Sequence, residues 1–175
     1  MRVAVCQISV VDSDIEGNLA RIEAAAQKAR RSGADIACFP EAALIGWGNP
    51  QAAELARPIP GAHSRRLSAT ARRAGIALCV GLHELDGASL YNTALLIDPQ
   101  GAILHHHRKV NLIPDVEAPP TVPGPIEGLR VVETRLGRIG LMICADSFLP
   151  AHRQALRLQQ PDVALIPYAW AAPAG

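Results

Sequence analysis

Gly137-Arg-Ile-Gly-Leu-Met-Ile-Cys-Ala-Asp-Ser-Phe-Leu-Pro150 joins an apolar run to a turn. Ile139 through Ile143 predicts a short buried strand, and Ser147 with Pro150 predicts a turn into a helix. The thiol of Cys144 then stands where a strand hands its last side chain to a cleft. Backbone N–H groups at the start of the following helix would face the same space and favour a thiolate. The competing reading is a buried small hydrophobe, the usual fate of a free cysteine.

Working outward, residues 2–10 predict a strand, apolar at nearly every position and so covered on both faces. Ser13 and Glu16 have the spacing of a capping box. Ile15, Leu19, Ile22, Ala26 and Ala29 recur at helical spacing up to Gly33, which ends the helix. Residues 36–40 and 76–83 read as further strands, with a helix over 62–74 between them that Gly75 stops. Residues 91–97 and 102–107 flank Asp98-Pro-Gln-Gly101 as a hairpin. Residues 41–59 read as a loop. So do residues 108–128, which carry five prolines, and a loop of that length in a compact domain is usually functional or a linker. Residues 131–134 and 138–144 predict strands around a Leu136-Gly137 turn. A helix over 150–158 and a strand over 162–167 follow. The order is βαβαβ, a hairpin, then ββαβ, which is an α/β layered fold with mixed strands in a single domain over residues 1–175.

Composition narrows the function. With 17 Lys and Arg against 16 Asp and Glu, the net charge is +1, so no nucleic-acid partner is expected. Charges or prolines interrupt every apolar run, so no membrane span is expected. Residues 1–7 are too short and too polar for a signal peptide, and a cytoplasmic location follows. None of the four cysteines (Cys6, Cys38, Cys79 and Cys144) forms a CxxC pair, so neither a zinc site nor a redox motif is expected. In a strand, His105 and His107 share one face and His106 takes the other. Two ligands on one face are too few for zinc, and no metal is expected. Arg65-Arg66 and Arg72-Arg73 read as the solvated face of a helix.

Two residues lift Cys144 above the bland reading. Glu41 directly follows the strand ending in Phe39-Pro40, and strand ends in such folds point into the ligand crevice. Its apolar neighbours Ala42, Ala43 and Leu44 would raise its pKa toward that of a general base. Lys109 stands at the exit of the strand over 102–107 and could place a positive charge beside a developing oxyanion. A thiol, a carboxylate and an ammonium at three strand ends form a set for nucleophilic attack on a carbon bound to nitrogen.

At this point the chain resembles the nitrilase (carbon–nitrogen hydrolase) superfamily, from Met1 to about Trp170. Phe39-Pro-Glu41 is similar to the family's glutamate motif. Tyr91-Asn-Thr-Ala94 with Arg108-Lys-Val-Asn-Leu112 is similar to its lysine motif. Gly140-Leu-Met-Ile-Cys-Ala-Asp146 with Pro150 is similar to its cysteine motif, and Ile166-Pro-Tyr-Ala-Trp170 to the strand and Trp that follow. The resemblance implies a four-layer α-β-β-α sandwich and a Glu41-Lys109-Cys144 triad that forms a thioester without a cofactor. It also implies a second glutamate, Glu117, which positions substrate and steers Lys109. The Ala145 N–H would join Lys109 around the oxyanion. The substrate implied is a small amide or carbamoyl compound, and a homo-oligomer is expected.

Departures from the pattern sharpen this reading. Asn111 stands where His is common, and His107 where an aromatic residue often precedes the Arg-Lys pair. Ala145-Asp146 replaces the Trp-Glu of nitrile-cleaving members, which favours an amide over a nitrile. Family members continue well beyond the Trp, so the domain is expected to be C-terminally incomplete. The alternatives are a catalytically impaired member serving assembly or binding, a nitrilase, or an acyltransferase that passes the thioester to an amine.

Overall fold

The computed structural model describes residues 1–114, 116–117 and 121–169. In chain order the elements are β1 (Val3–Val5), α1 (Ile15–Arg31), β2 (Ile36–Cys38), α2 (Ala52–Leu55), α3 (Ala62–Ala74), β3 (Ala77–Asp86), β4 (Ser89–Ile97), β5 (Ile103–Arg108), β6 (Val131–Thr134), β7 (Gly137–Leu141), α4 (Pro150–Leu158) and β8 (Val163–Leu165). One sheet has the order β1-β2-β3-β4-β5 and the other β6-β7-β8. Strands β1, β2 and β3 run parallel, and β3, β4 and β5 form an antiparallel meander. In the smaller sheet β7 pairs antiparallel with β6 and parallel with β8.

Side-chain alternation along the strands builds the layers. Leu78, Val80 and Leu82 of β3, with Leu95 and Ile97 of β4, pack on Ile22 and Ala26 of α1 and Leu67 and Ala71 of α3. The intervening residues Cys79, Ala94 and Leu96 turn the other way and meet Ile139, Leu141 and Leu165 of the second sheet. On its far side Leu156 of α4 packs with Met142 and Leu129. The result is a four-layer α-β-β-α sandwich. A fully buried Leu or Ile contributes about 2 kcal/mol. Both seams hold such residues, Ile22, Leu67 and Leu78 on the helix-facing side and Leu96, Ile139 and Leu141 between the sheets.

The predicted helix over 62–74 and that over 150–158 coincide with α3 and α4. Gly75 closes α3 at φ 63, a left-handed conformation that suits a residue without Cβ. Two expectations need correction. Among the described residues β1 is short and pairs only with β2, and Val5 is 86 % exposed, so the strand is not covered on both faces. The cap of α1 is Asp14, whose carboxylate accepts the Gly17 N–H at 3.0 Å. Ser13 instead sits at φ 63 and gives its hydroxyl to Gln51, while Glu16 pairs with Arg66 of α3. The loop over 41–59 contains the single turn α2. Among the described residues no helix is long and apolar enough to cross a membrane. Trp170 of the expected motif, and the Pro119-Pro120 pair of the Pro-rich loop, lie outside the described residues.

Candidate active site

Three strand exits converge at one end of the sandwich. Glu41 follows β2 by way of Phe39-Pro40 and approaches β3 so closely that a Cβ on Gly81 would lie 2.5 Å from its Cα. Glycine is therefore required at position 81 by the packing of Glu41. Lys109 is the first residue past β5. Cys144 opens a 3₁₀ turn over Cys144–Phe148 beyond β7, at φ 39, a left-handed backbone unusual for a side-chain-bearing residue. The segment after β8 ties the exits together. The Cys144 N–H donates to the Pro167 carbonyl at 2.9 Å and the Glu41 N–H to the Tyr168 carbonyl at 3.3 Å.

Lys109 Nζ donates to Glu41 Oε1 at 2.6 Å and also to Glu117 Oε1. Asn92 Nδ2 donates to the same two carboxylates, at 2.7 Å to Glu41 and 3.1 Å to Glu117. The Ala169 N–H donates to Glu41 Oε2 at 3.1 Å. The Cys144 thiol faces the Glu41 carboxylate and the Ala169 N–H. Glu41, Lys109 and Cys144 are all buried. The structure thus brings together Glu41, Lys109, Glu117 and Cys144. Glu41 also borders a cavity of about 680 Å³ walled by residues 5–10, Trp47 and Tyr168.

The electrostatics follow from burial. Desolvation raises the Glu41 pKa above the carboxylate value of 4.5, and the Lys109 charge opposes this without cancelling it. Burial disfavours the Lys109 ammonium, but Glu41 and Glu117 outweigh it and hold the lysine protonated. The Cys144 thiol is pushed up to about 11, first by burial and then by the Glu41 charge, with the Lys109 charge opposing them. The sequence-based expectation of a resting thiolate is therefore corrected. A single 3₁₀ turn supplies too little positive potential to offset a buried carboxylate alongside. The resting pair is a thiol beside a base.

Asp146 locks the site and was not singled out by the sequence. It is 0 % exposed. Its Oδ1 accepts the N–H groups of Val110 and Asn111 at 2.9 and 2.8 Å, and its Oδ2 meets His107 Nε2 at 2.8 Å and the Ile143 N–H at 2.9 Å. One carboxylate thereby joins the lysine loop to the cysteine turn. Asn111 adds a second link, its Nδ2 donating to the Ala145 carbonyl at 2.6 Å. The two departures noted in the lysine motif, His107 and Asn111, are both Asp146 partners. Ala145 is buried at the second position of the turn.

Burial works against the Asp146 charge, but His107 and the backbone N–H groups outweigh it and hold its pKa below 3.8. Its stabilisation is therefore present above the unfolded pKa and lost as pH falls through the folded one. Asp146→Asn turns an N–H donor toward N–H groups and is expected to cost about 2 kcal/mol at neutral pH. Urea unfolding at pH 7 and pH 3 checks this, and the gap to the wild type should narrow at the lower pH.

The histidine run is spent on structure. His105 Nε2 contacts the Arg130 carbonyl, His106 Nε2 binds Glu84 at 2.7 Å, and His107 Nδ1 contacts the Gly128 carbonyl. His105 and His107 face the inter-sheet side, and His106 the other, as the alternation predicts.

Comparison with known proteins gives the following. The model of the carbon-nitrogen hydrolase family matches residues 2–173. The chain is 33 % identical over 153 residues to the omega-amidase NIT2 of Danio rerio, covering 83 % of this chain and 54 % of that protein. It is also 33 % identical over 173 residues to a hydrolase in the pqqF 5' region of Pseudomonas protegens, covering 97 % of this chain and 59 % of that protein. Among solved structures, a glutamate variant of the amidase from Nesterenkonia sp. AN1, captured with acrylamide added to its active-site cysteine, superposes with a TM-score of 0.87. That match is 28 % identical and covers 99 % of this chain and 69 % of the amidase. The chain thus spans little more than half the length of the curated relatives it matches.

Proposed function

Because the chain belongs to the carbon–nitrogen hydrolase family, we propose that it hydrolyses a small carboxamide or carbamoyl compound by acyl transfer through Cys144. What supports this reading most is a single arrangement: a buried thiol facing a carboxylate that is itself bonded to a buried ammonium. Glu41 takes the thiol proton as Sγ attacks the carbonyl carbon. The oxygen that gains charge is held by Lys109 Nζ and the Ala145 N–H. Collapse breaks the carbon–nitrogen bond. Glu41 returns its proton to the nitrogen, which leaves as ammonia or an amine, and a thioester remains on Cys144. Glu41 then takes a proton from water as the water attacks the thioester, the acid departs, and Sγ regains its proton. Glu117 accepts a second hydrogen bond from Lys109 and positions the substrate.

The raised thiol pKa suits this order of events, since proton transfer to Glu41 accompanies attack and no standing thiolate is needed. An amide is favoured over a nitrile because Ala145-Asp146 follows the cysteine, and in this chain Asp146 is committed to His107 and three backbone N–H groups. A homo-oligomer in the cytoplasm completes the reading, and the assembly is checked by light scattering.

Ammonia release from a panel of small amides, carbamoyl compounds and nitriles tests the function, with added amine to reveal transfer in place of hydrolysis. Release from none of them would sink it. The pH profile gives a second check. Glu41 must be a carboxylate to accept the proton, so kcat/KM falls as pH drops through its pKa. Burial places that acid limb above 4.5, and a limb at or below the ordinary value would count against Glu41 as the base.

A further inference from the structure

Cys38 and Cys79 face each other across two strands. They are register partners in the parallel pair β2–β3, so their side chains leave the same face of the sheet. Both belong to the apolar cluster between the sheets. The Cys79 thiol donates a hydrogen bond to the Cys38 sulfur. Strands paired in this way lie about 4.8 Å apart, within the span of about 4.4–6.8 Å between Cα atoms that a disulfide bridges. The sequence holds no CxxC pair, and these two thiols meet only through the fold.

Cys79 is fully buried, whereas Cys38 is half-buried and borders the cavity of about 680 Å³ that also reaches Glu41. A small solute in that cavity meets Cys38 first. Cys6 borders the same cavity, but it packs with the helix-facing core and turns its thiol to the Ala4 carbonyl. It stands apart from the pair and serves as an internal control.

The thiols also differ in reactivity. The hydrogen bond from Cys79, with another from the Ile166 N–H, holds the Cys38 pKa below the ordinary 9.0 despite burial. Burial and then the Cys38 charge push Cys6 up to about 11, and Cys144 also stands at about 11. The thiolate is the reactive form, so Cys38 reacts first.

We propose that Cys38 and Cys79 form a reversible dithiol–disulfide couple oxidised by a hydroperoxide that enters the cavity, with Cys38 attacking and Cys79 resolving. The Cys38 sulfur attacks the peroxide, the O–O bond breaks, and the leaving oxygen takes a proton from solvent to give an alcohol or water. Cys38 is left as a sulfenic acid. The Cys79 sulfur then displaces the hydroxyl, an S–S bond forms, and the hydroxyl leaves with the Cys79 proton as water. A bridge that borders the cavity is open to reduction by a small thiol. The couple is independent of the hydrolysis proposed above.

The experiment treats wild type, Cys38→Ser and Cys79→Ser with hydrogen peroxide at pH 7, with and without dimedone, and maps the tryptic peptides by mass spectrometry. In wild type the 38–79 linked peptide should appear, vanish with dithiothreitol, and form while Cys144 is still a thiol. Cys38 should be consumed about tenfold faster than Cys6. Cys79→Ser should trap dimedone on Cys38, and Cys38→Ser should form no bridge to Cys79. The wild-type map decides the matter even if a variant fails to fold. Cys38 consumed no faster than Cys6 overturns the proposal. So does Cys38 bridged to Cys6 or to another chain, or Cys38 over-oxidised to sulfinic acid with Cys79 still a thiol.

Discussion

Replacing Cys144 with alanine is expected to reduce ammonia release to the rate of buffer alone while leaving the fold intact. The reaction proposed needs a bond between carbon and Sγ, and of the cysteines only Cys144 carries a thiol facing the Glu41 carboxylate among the described contacts. The structural cost is small. The side chain loses one buried atom in the seam between the sheets, worth about 1 kcal/mol as for other small truncations in a core. Alanine also accepts the φ 39 backbone no worse than cysteine does. Near-UV circular dichroism should be unchanged and the melting temperature lowered by only a few degrees. Turnover retained in Cys144→Ala would remove Cys144 from the mechanism. Loss of turnover together with loss of the near-UV signal would make the result structural.

Lys109→Ala is expected to be nearly as severe, through two separate effects. The oxyanion loses its cationic partner, a change worth about 3 kcal/mol in the barrier, or 10²–10³-fold in kcat. The second effect arises in the resting enzyme. Lys109 lies between Glu41 and Glu117, and Asn92 also bonds both. Without the ammonium, two buried carboxylates share one amide, and one of them takes up a proton. If Glu41 is the one protonated, the base is lost at neutral pH. The acid limb of kcat/KM should therefore move to higher pH in this variant. A change confined to KM, with kcat and the pH profile unmoved, would count against the role given to Lys109.

The fold was legible in the sequence wherever periodicity met a clear stop. Helix α3 is bounded by Gly61 and Gly75, and α4 begins at Pro150, so both were placed to the residue. Edges were harder. The run over residues 2–10 is apolar enough for a buried strand, yet among the described residues β1 pairs with one neighbour and exposes Val5, and hydrophobicity alone does not distinguish edge from centre. At α1 the adjacent Ser13 and Asp14 both suit a cap. Only the backbone, with Ser13 at φ 63, decides for Asp14.

At the site the candidate catalytic side chains were legible because each follows an apolar run at a strand exit. Their supports were not. Asn92 sits inside a strand that reads as core, and the 51 residues that separate it from Glu41 hide the contact. Asp146 follows Cys144 by two residues and resembles any turn aspartate until its four partners are seen. The signal that could have found it lay in the departures: a His at 107 and an Asn at 111 each need a polar partner when buried. The thiol's protonation was misjudged for a related reason, since the local turn was weighed without the Glu41 charge that tertiary packing sets beside it.

The proposed nucleophile and its proposed base belong to different slabs of the sandwich. Glu41 and Lys109 hang from the five-stranded sheet and Cys144 from the three-stranded one, joined by Asp146 and by the stretch after β8. The surfaces in contact there are apolar and carry no directional bonds of their own, Cys79, Ala94 and Leu96 meeting Ile139, Leu141 and Leu165. A slip of about an ångström along that plane would leave every strand paired and every helix packed, and still separate thiol from carboxylate by enough to cost two orders of magnitude in rate. Under the proposed mechanism the rate is a gauge of how the two sheets are aligned. The aspartate that pins them does for the reaction what a dowel does for a mould.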